Sequence, residues 1–140
     1  MTDVRSVVLD THVWLWLMIG SPSLQDEALA AVMHAADHGD VLIPVIVPWE
    51  VAMLERKGRI ILAMPTLAWI EKSLNAPGVR LSPLTPTIAV DSATLPGAPP
   101  NDPADRMIIA TARAHQAVLV TRDTAILRYA DADHVNTVAA

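Results

Sequence analysis

At 140 residues with no cysteine, the chain suits one domain spanning residues 1–140, with no disulfides and no thiolate metal site. Hydrophobic residues make up 52% and charged residues 18%, which is apolar for a soluble monomer and points to surface covered by a partner. The net charge of -5 argues against general affinity for nucleic acid, and the longest apolar run, Val13 to Ile19, is too short to span a bilayer.

The N-terminus lacks the basic stretch and long apolar region of a signal peptide, and the missing cysteines suit a reducing cytoplasm, which is the expected location. Val7-Val8-Leu9 is a short, partly β-branched apolar run, too short for a helix. It reads as a strand buried on both faces. Asp10 and Thr11 follow it, and His12 to Met18 continue as an apolar helix. Ser23 to His38 is a second predicted helix, with Ser23 as N-cap, Asp26 three residues on and Gly39 as its stop. Val41-Leu42-Ile43-Pro44 is a second buried strand. Pro48 then suits a first helical residue, which places Glu50 in the first turn of a helix running from Trp49 to Lys57.

Thr66 to Asn75 is predicted helical, Pro77-Gly78 a turn, and Val79 to Leu84 a third strand weakened by Pro83. Thr85-Pro86 opens a short helix through Ala93. After a proline-rich loop, Asp102-Pro103-Ala104-Asp105 starts a helix that runs to about His115. Pro103 fits the first helical position, so Asp102 is the expected N-cap and Asp105 the third helical residue. Ala117 to Val120 is a fourth strand, Asp123 precedes a helix to Tyr129, and residues 134–138 are a candidate fifth strand. Alternating strands and helices with all-apolar strands imply an α/β protein with a parallel sheet covered on both faces.

Four acids stand apart from those on helix faces. Asp10 and Asp123 follow buried strands directly; Glu50 and Asp105 lie near helix starts. In a parallel sheet all four gather at one edge, where ligands of such folds bind. Each acid alone also fits a helix cap or a partner of the helix dipole, and that reading stays open. Four clustered carboxylates repel unless a cation lies among them, and an all-oxygen set suits Mg²⁺ or Mn²⁺. Such ions hold phosphates and lower the pKa of a water that can attack phosphorus. Arg56, Lys57 and Arg59 form the tight basic cluster of the chain and are candidate contacts for an RNA backbone; a solvated helix end explains them equally well.

Leu9-Asp10-Thr11-His12-Val13-Trp14, Trp49-Glu50-Val51-Ala52, Asp102-Pro103-Ala104-Asp105-Arg106-Met107-Ile108-Ile109-Ala110-Thr111-Ala112 and Val120-Thr121-Arg122-Asp123 occur in that order. Together they resemble the PIN domain and, more narrowly, the VapC toxins of type II toxin–antitoxin modules. The resemblance implies an α/β/α sandwich with a central parallel sheet of four to five strands. It implies a Mg²⁺- or Mn²⁺-dependent endoribonuclease whose acidic quartet is Asp10, Glu50, Asp105 and Asp123, with Thr121 orienting the site. It also implies a cognate antitoxin that covers the toxin, and a homodimer. The apolar composition leads to the expectation of a groove for an antitoxin helix around Trp14, Trp16 and Trp49.

Two departures accompany the resemblance: Pro48 replaces a common Ser before Trp49-Glu50, and Pro100-Asn101 stand where basic residues or His often precede Asp-Pro. Two other classes fit the scaffold. One is aspartyl phosphotransfer at Asp10, which wants a lysine after a late strand; neither Lys57 nor Lys72 is so placed. The other is a non-catalytic interaction domain.

Overall fold

The computed structural model describes residues 6–140. Its elements are β1 (Val7–Leu9), α1 (Thr11–Ile19), α2 (Asp26–Asp37), β2 (Val41–Pro44), α3 (Ile46–Arg56), α4 (Thr66–Leu74), β3 (Val79–Ser82), α5 (Pro86–Ala93), α6 (Pro103–His115), β4 (Val118–Thr121), α7 (Thr124–Ala130) and β5 (Asn136–Ala139). The five strands form one sheet in the order β3-β2-β1-β4-β5, and every neighbouring pair is parallel. Helices flank it on both faces, giving the α/β/α arrangement. The three residues of β1 are buried, as their unbroken apolar pattern requires.

The chain steps outward from β1 through β2 to β3, then returns to place β4 on the other side of β1. That reversal opens a crevice beyond the carboxyl ends of β1 and β4, the usual ligand position in such sheets. The core is built from Val8, Leu9, Leu42, Ile43, Leu119 and Val120 of the strands, with Ile108 and Ile109 of α6 and Val32 and Ala35 of α2. α6 packs across β1, β2 and β4, and α3 packs on α6. At the opposite end of the sheet, Gly78 turns with φ +80°, and a Cβ there would lie 2.2 Å from the Ala36 carbonyl oxygen. The turn into β3 therefore needs glycine on two counts.

Among the boundaries that differ from the sequence reading, three have a clear physical cause. Helix α2 starts at Asp26 with Gln25 as a cap that makes no side-chain bond, so Ser23 is not the N-cap. The Ser23 N–H bonds the Ser21 hydroxyl at 3.1 Å and Leu24 is buried, which draws this segment into a turn ahead of the helix. Asp26 and Glu27 face the helix dipole in its first turn instead.

Helix α3 begins at Ile46, straight off β2, and Pro48 is its third residue. The N–H groups of a first turn have no intrahelical partner, so proline is tolerated there as well as at the first position. Glu50 is thus the fifth helical residue, two positions deeper than expected. Strand β3 stops at Ser82, since Pro83 has no N–H to continue the ladder.

Candidate active site

Five acids line one open cavity of about 420 Å³ at the carboxyl edge of β1 and β4: Asp10, Glu50, Asp102, Asp105 and Asp123. The candidates from the sequence, Asp10, Glu50, Asp105 and Asp123, are all among them. Each is carried by a different part of the fold.

Asp10 follows β1, caps α1 and lines the cavity. Its Oδ1 accepts the Val13 N–H at 3.1 Å, and its Oδ2 accepts the Thr121 hydroxyl. Asp10 and Thr121 are both buried. Thr121 closes β4, and its oxygen also accepts the Asp123 N–H at 3.0 Å. One hydroxyl therefore ties the loop after β1 to the loop after β4. Asp123 caps α7 through Oδ1, which accepts the N–H groups of Ala125 at 2.8 Å and Ile126 at 3.1 Å.

Glu50 reaches the cavity from α3 and accepts the Thr11 hydroxyl at 2.6 Å. Asp102 and Asp105 come from the start of α6. Asp102 is the N-cap: its Oδ1 accepts the N–H groups of Ala104 at 2.8 Å and Asp105 at 3.1 Å. Pro103 at the first position sets this geometry.

Crowding marks the electrostatics. The Asp105 carboxyl is pushed up to about 7, first by burial and then by the charges of Asp123, Asp102, Glu50 and Asp10. Burial also raises Asp10, against the pull of the Thr121 hydroxyl and the Val13 N–H. Glu50 is raised by burial, opposed by the Thr11 hydroxyl and reinforced by Asp102 and Asp10. The site resists holding all its negative charge without a cation.

Apart from the His12 ring, the side chains that could hold an ion here offer carboxylate and hydroxyl oxygen and no Cys, which is the chemistry of Mg²⁺ or Mn²⁺. Among the described residues, no three such side chains are drawn tightly enough to enclose an ion as they stand. Each of the five carboxylates keeps at least one oxygen with a lone pair beyond these bonds, so the residues offer donors of the kind a hard cation takes.

Of the basic cluster, Arg59 lines this cavity. Lys57 lines an adjoining hollow of about 380 Å³ together with Arg59, Trp49, Met53 and Met107. Arg56 is exposed at the end of α3 and lines neither. The expected groove is corrected in one respect. Trp49 is 55% exposed in the hollow, but Trp14 is fully buried and packs edge-on against Trp69 at 5.1 Å. Trp16 lines the acidic cavity instead. Helix α1 is apolar almost throughout, so its sequence does not say which indole turns inward. His12 and Arg122 also line the cavity and were not singled out for it from the sequence. For Arg122 the available signal was its place between Thr121 and Asp123.

The sequence profile of the family described as PIN domain matches residues 7–132. Ribonuclease VapC22 of Mycobacterium tuberculosis (strain ATCC 25618 / H37Rv) is 39% identical over 122 residues, 86% of this chain and 88% of that protein. The fold resembles DNA-bound VapBC from Salmonella typhimurium with a TM-score of 0.65 and 14% identity, over 96% of this chain and 97% of that one. It resembles FitAcB from Neisseria gonorrhoeae with a TM-score of 0.58 and 23% identity, over 94% and 95% of the two chains. With the profile covering all but the ends of the chain and a ribonuclease VapC relative aligned along most of its length, this protein belongs to the PIN domain family, among the VapC ribonucleases.

Proposed function

We propose that this protein is a divalent-cation-dependent endoribonuclease, the toxin of a toxin–antitoxin pair working in the cytoplasm. The observation that carries the reading is the meeting of Asp10, Glu50, Asp105 and Asp123, from four separate stretches of sequence, on one cavity. The VapC family of the chain points the same way.

Asp10, Glu50 and Asp105 would hold one Mg²⁺ or Mn²⁺, with Asp123 completing that site or helping to hold a second ion. When bound, the ion supplies the positive charge that draws in a phosphate and makes water acidic enough to attack it. The chain's own part is to fix the ligands. Thr121 holds Asp10, Thr11 holds Glu50, and the cap bonds of α7 hold Asp123. The half-buried Asp105, its carboxyl pushed up to about 7, is placed to release a proton when an ion binds. In-line attack then gives a 5′-phosphate and a 3′-hydroxyl.

Covered surface remains part of the reading. The hollow beside Trp49 adjoins the acidic cavity and suits an apolar helix of an antitoxin. A homodimer accounts for the remaining apolar exposure, including Ile19, Met33 and Ile61.

The test is cleavage of single-stranded RNA by purified protein. Activity with Mg²⁺ or Mn²⁺ and silence in EDTA are expected. Full activity in chelator would remove the metal from the mechanism.

A further inference from the structure

Arg122 lies between Thr121, which holds Asp10, and Asp123, which caps α7. Its backbone is therefore fixed at the centre of the site. Its side chain is exposed on the wall of the acidic cavity. Yet among the described residues the guanidinium pairs with no Asp or Glu side chain; the side-chain pairs found join Arg80 to Asp40 and Arg113 to Asp91. An arginine beside five acids ordinarily takes one of them.

Three groups from distant parts of the chain hold Arg122 instead, one indole ring and two main-chain oxygens. Its carbon Cζ sits 4.4 Å from the centre of the Trp16 ring on α1. Its Nε donates to the main-chain oxygen of Ala140 at 3.0 Å, and Nη2 donates to that of Ser23. Two of the five guanidinium N–H groups are used and three are left. Stacking and bonds to main-chain oxygens fix the plane and leave it unpaired with the acidic side chains of the cavity. Arg122 is thus a held cation with spare donors on the wall of a site built to receive an anion.

We propose that Arg122 binds a phosphate of the RNA strand next to the bond that is cut, held ready for it by Trp16 and the main-chain oxygens of Ser23 and Ala140. This rests on the ribonuclease reading and adds a substrate-binding residue to it. A phosphodiester matches the spare N–H groups, which can donate to two of its oxygens at once. The fixed plane lowers the entropy lost on binding. Arg122 also offsets the repulsion between the strand and the five carboxylates. The competing role is purely structural: Arg122 as a tie between β4, the segment before α2 and the end of the sheet.

The experiment measures binding of a fluorescein-labelled single-stranded oligoribonucleotide by anisotropy across a salt series. It compares Asp105→Asn with Asp105→Asn/Arg122→Met, so that the strand stays intact. Loss of one charge-assisted contact should weaken binding about tenfold. It should also reduce the slope of log K against log salt by about 0.7, the value for one phosphate on a single strand. Unchanged affinity and slope with a lowered melting temperature would overturn the proposal in favour of the tie.

Should the Met variant not fold, the Asp105→Asn protein, which keeps Arg122, decides. Phenylglyoxal modification of Arg122, mapped by mass spectrometry, should be blocked by the oligoribonucleotide. Equal modification with saturating RNA would overturn it, as would protection by an acidic peptide but not by RNA. Wild-type cleavage is scored in parallel. Absence of cleavage with any divalent cation counts against the ribonuclease reading, whereas cleavage with undiminished RNA binding by the Met variant counts against Arg122 alone.

Discussion

Asp102 and Asp105 stand three residues apart at the start of α6, and their surroundings separate them. Asp102 commits one carboxylate oxygen to two backbone N–H groups of its own helix. Asp105 accepts no cap bond among the described residues, is half-buried, and faces four other acids. Asp105→Asn should therefore reduce cleavage about a hundredfold or more, the scale of losing a group that organises charge at the reacting centre. The same change should leave the metal-free protein as stable or more stable, because a repelling charge is gone. Asp102→Ala should cost about 1 kcal/mol of stability and keep most of the activity. Cleavage assays and urea melts of the two variants check this pair. Loss of activity in a folded Asp102→Ala with retention in Asp105→Asn would exchange the roles.

At the scale of elements, the site depends on three segments meeting at the end of β4. The buried Thr121 hydroxyl donates to Asp10 after β1 and accepts from the Asp123 N–H ahead of α7. The Thr121 carbonyl accepts the Ala140 N–H at 2.9 Å, which brings in the end of the sheet beyond β5. Thr121→Val preserves shape and removes the hydroxyl. It strands a buried carboxylate oxygen and an N–H, so a loss of about 1–3 kcal/mol is expected in denaturant unfolding. Activity should fall as well, because Asp10 loses the bond that aims it. Thr121→Ser restores the hydroxyl and should recover most of both. A Val variant as stable and active as wild type would show that packing alone holds the loop.

The whole molecule carries the cost of its acidic cavity as a dependence on pH. Folding raises the Asp105 carboxyl from an ordinary value of 3.8 to about 7, and raises Asp10 and Glu50 as well. A carboxyl raised by folding binds its proton more tightly in the folded state. Its stabilising contribution is complete below the unfolded value and is lost as pH rises through the folded one. The metal-free protein should therefore melt at a lower temperature at about pH 8 than at about pH 5 as far as these groups decide it. Mg²⁺ or Mn²⁺ should reverse the trend, since the cation binds the deprotonated site and stabilises the folded state by mass action. Asp105→Asn should flatten the metal-free profile. Thermal melts in EDTA and in Mn²⁺ across this range test all three statements. A metal-free protein that gains stability from about pH 5 to about pH 8 would contradict the sign.

Local physics is legible in the sequence, and it set more of this protein than its boundaries suggest. Val7-Val8-Leu9 and Val118 to Val120 have no polar alternation, so they are interior strands. Asp102-Pro103 starts a helix because proline fixes φ and lacks the N–H that a first turn cannot use. Acids placed directly after buried strands are unusual enough to single out Asp10 and Asp123 before any fold is known. What needed tertiary structure was every choice between locally equal options. Ser23 and Gln25 could each precede α2; the bond of Ser23 to Ser21 and the burial of Leu24 decided it. Pro48 is tolerated at several first-turn positions, so only the direct exit from β2 placed Glu50 two positions deeper. The indoles of α1 lie on a helix without a polar side, and neighbouring helices and strands chose Trp14 for the core. Arg122 acquires its place only because Trp16, Ser23 and Ala140, remote in sequence, converge on it. Capping and strand burial depend on a few consecutive residues, whereas a shared cavity depends on which strands become neighbours, and that is decided only when the whole sheet closes around its core.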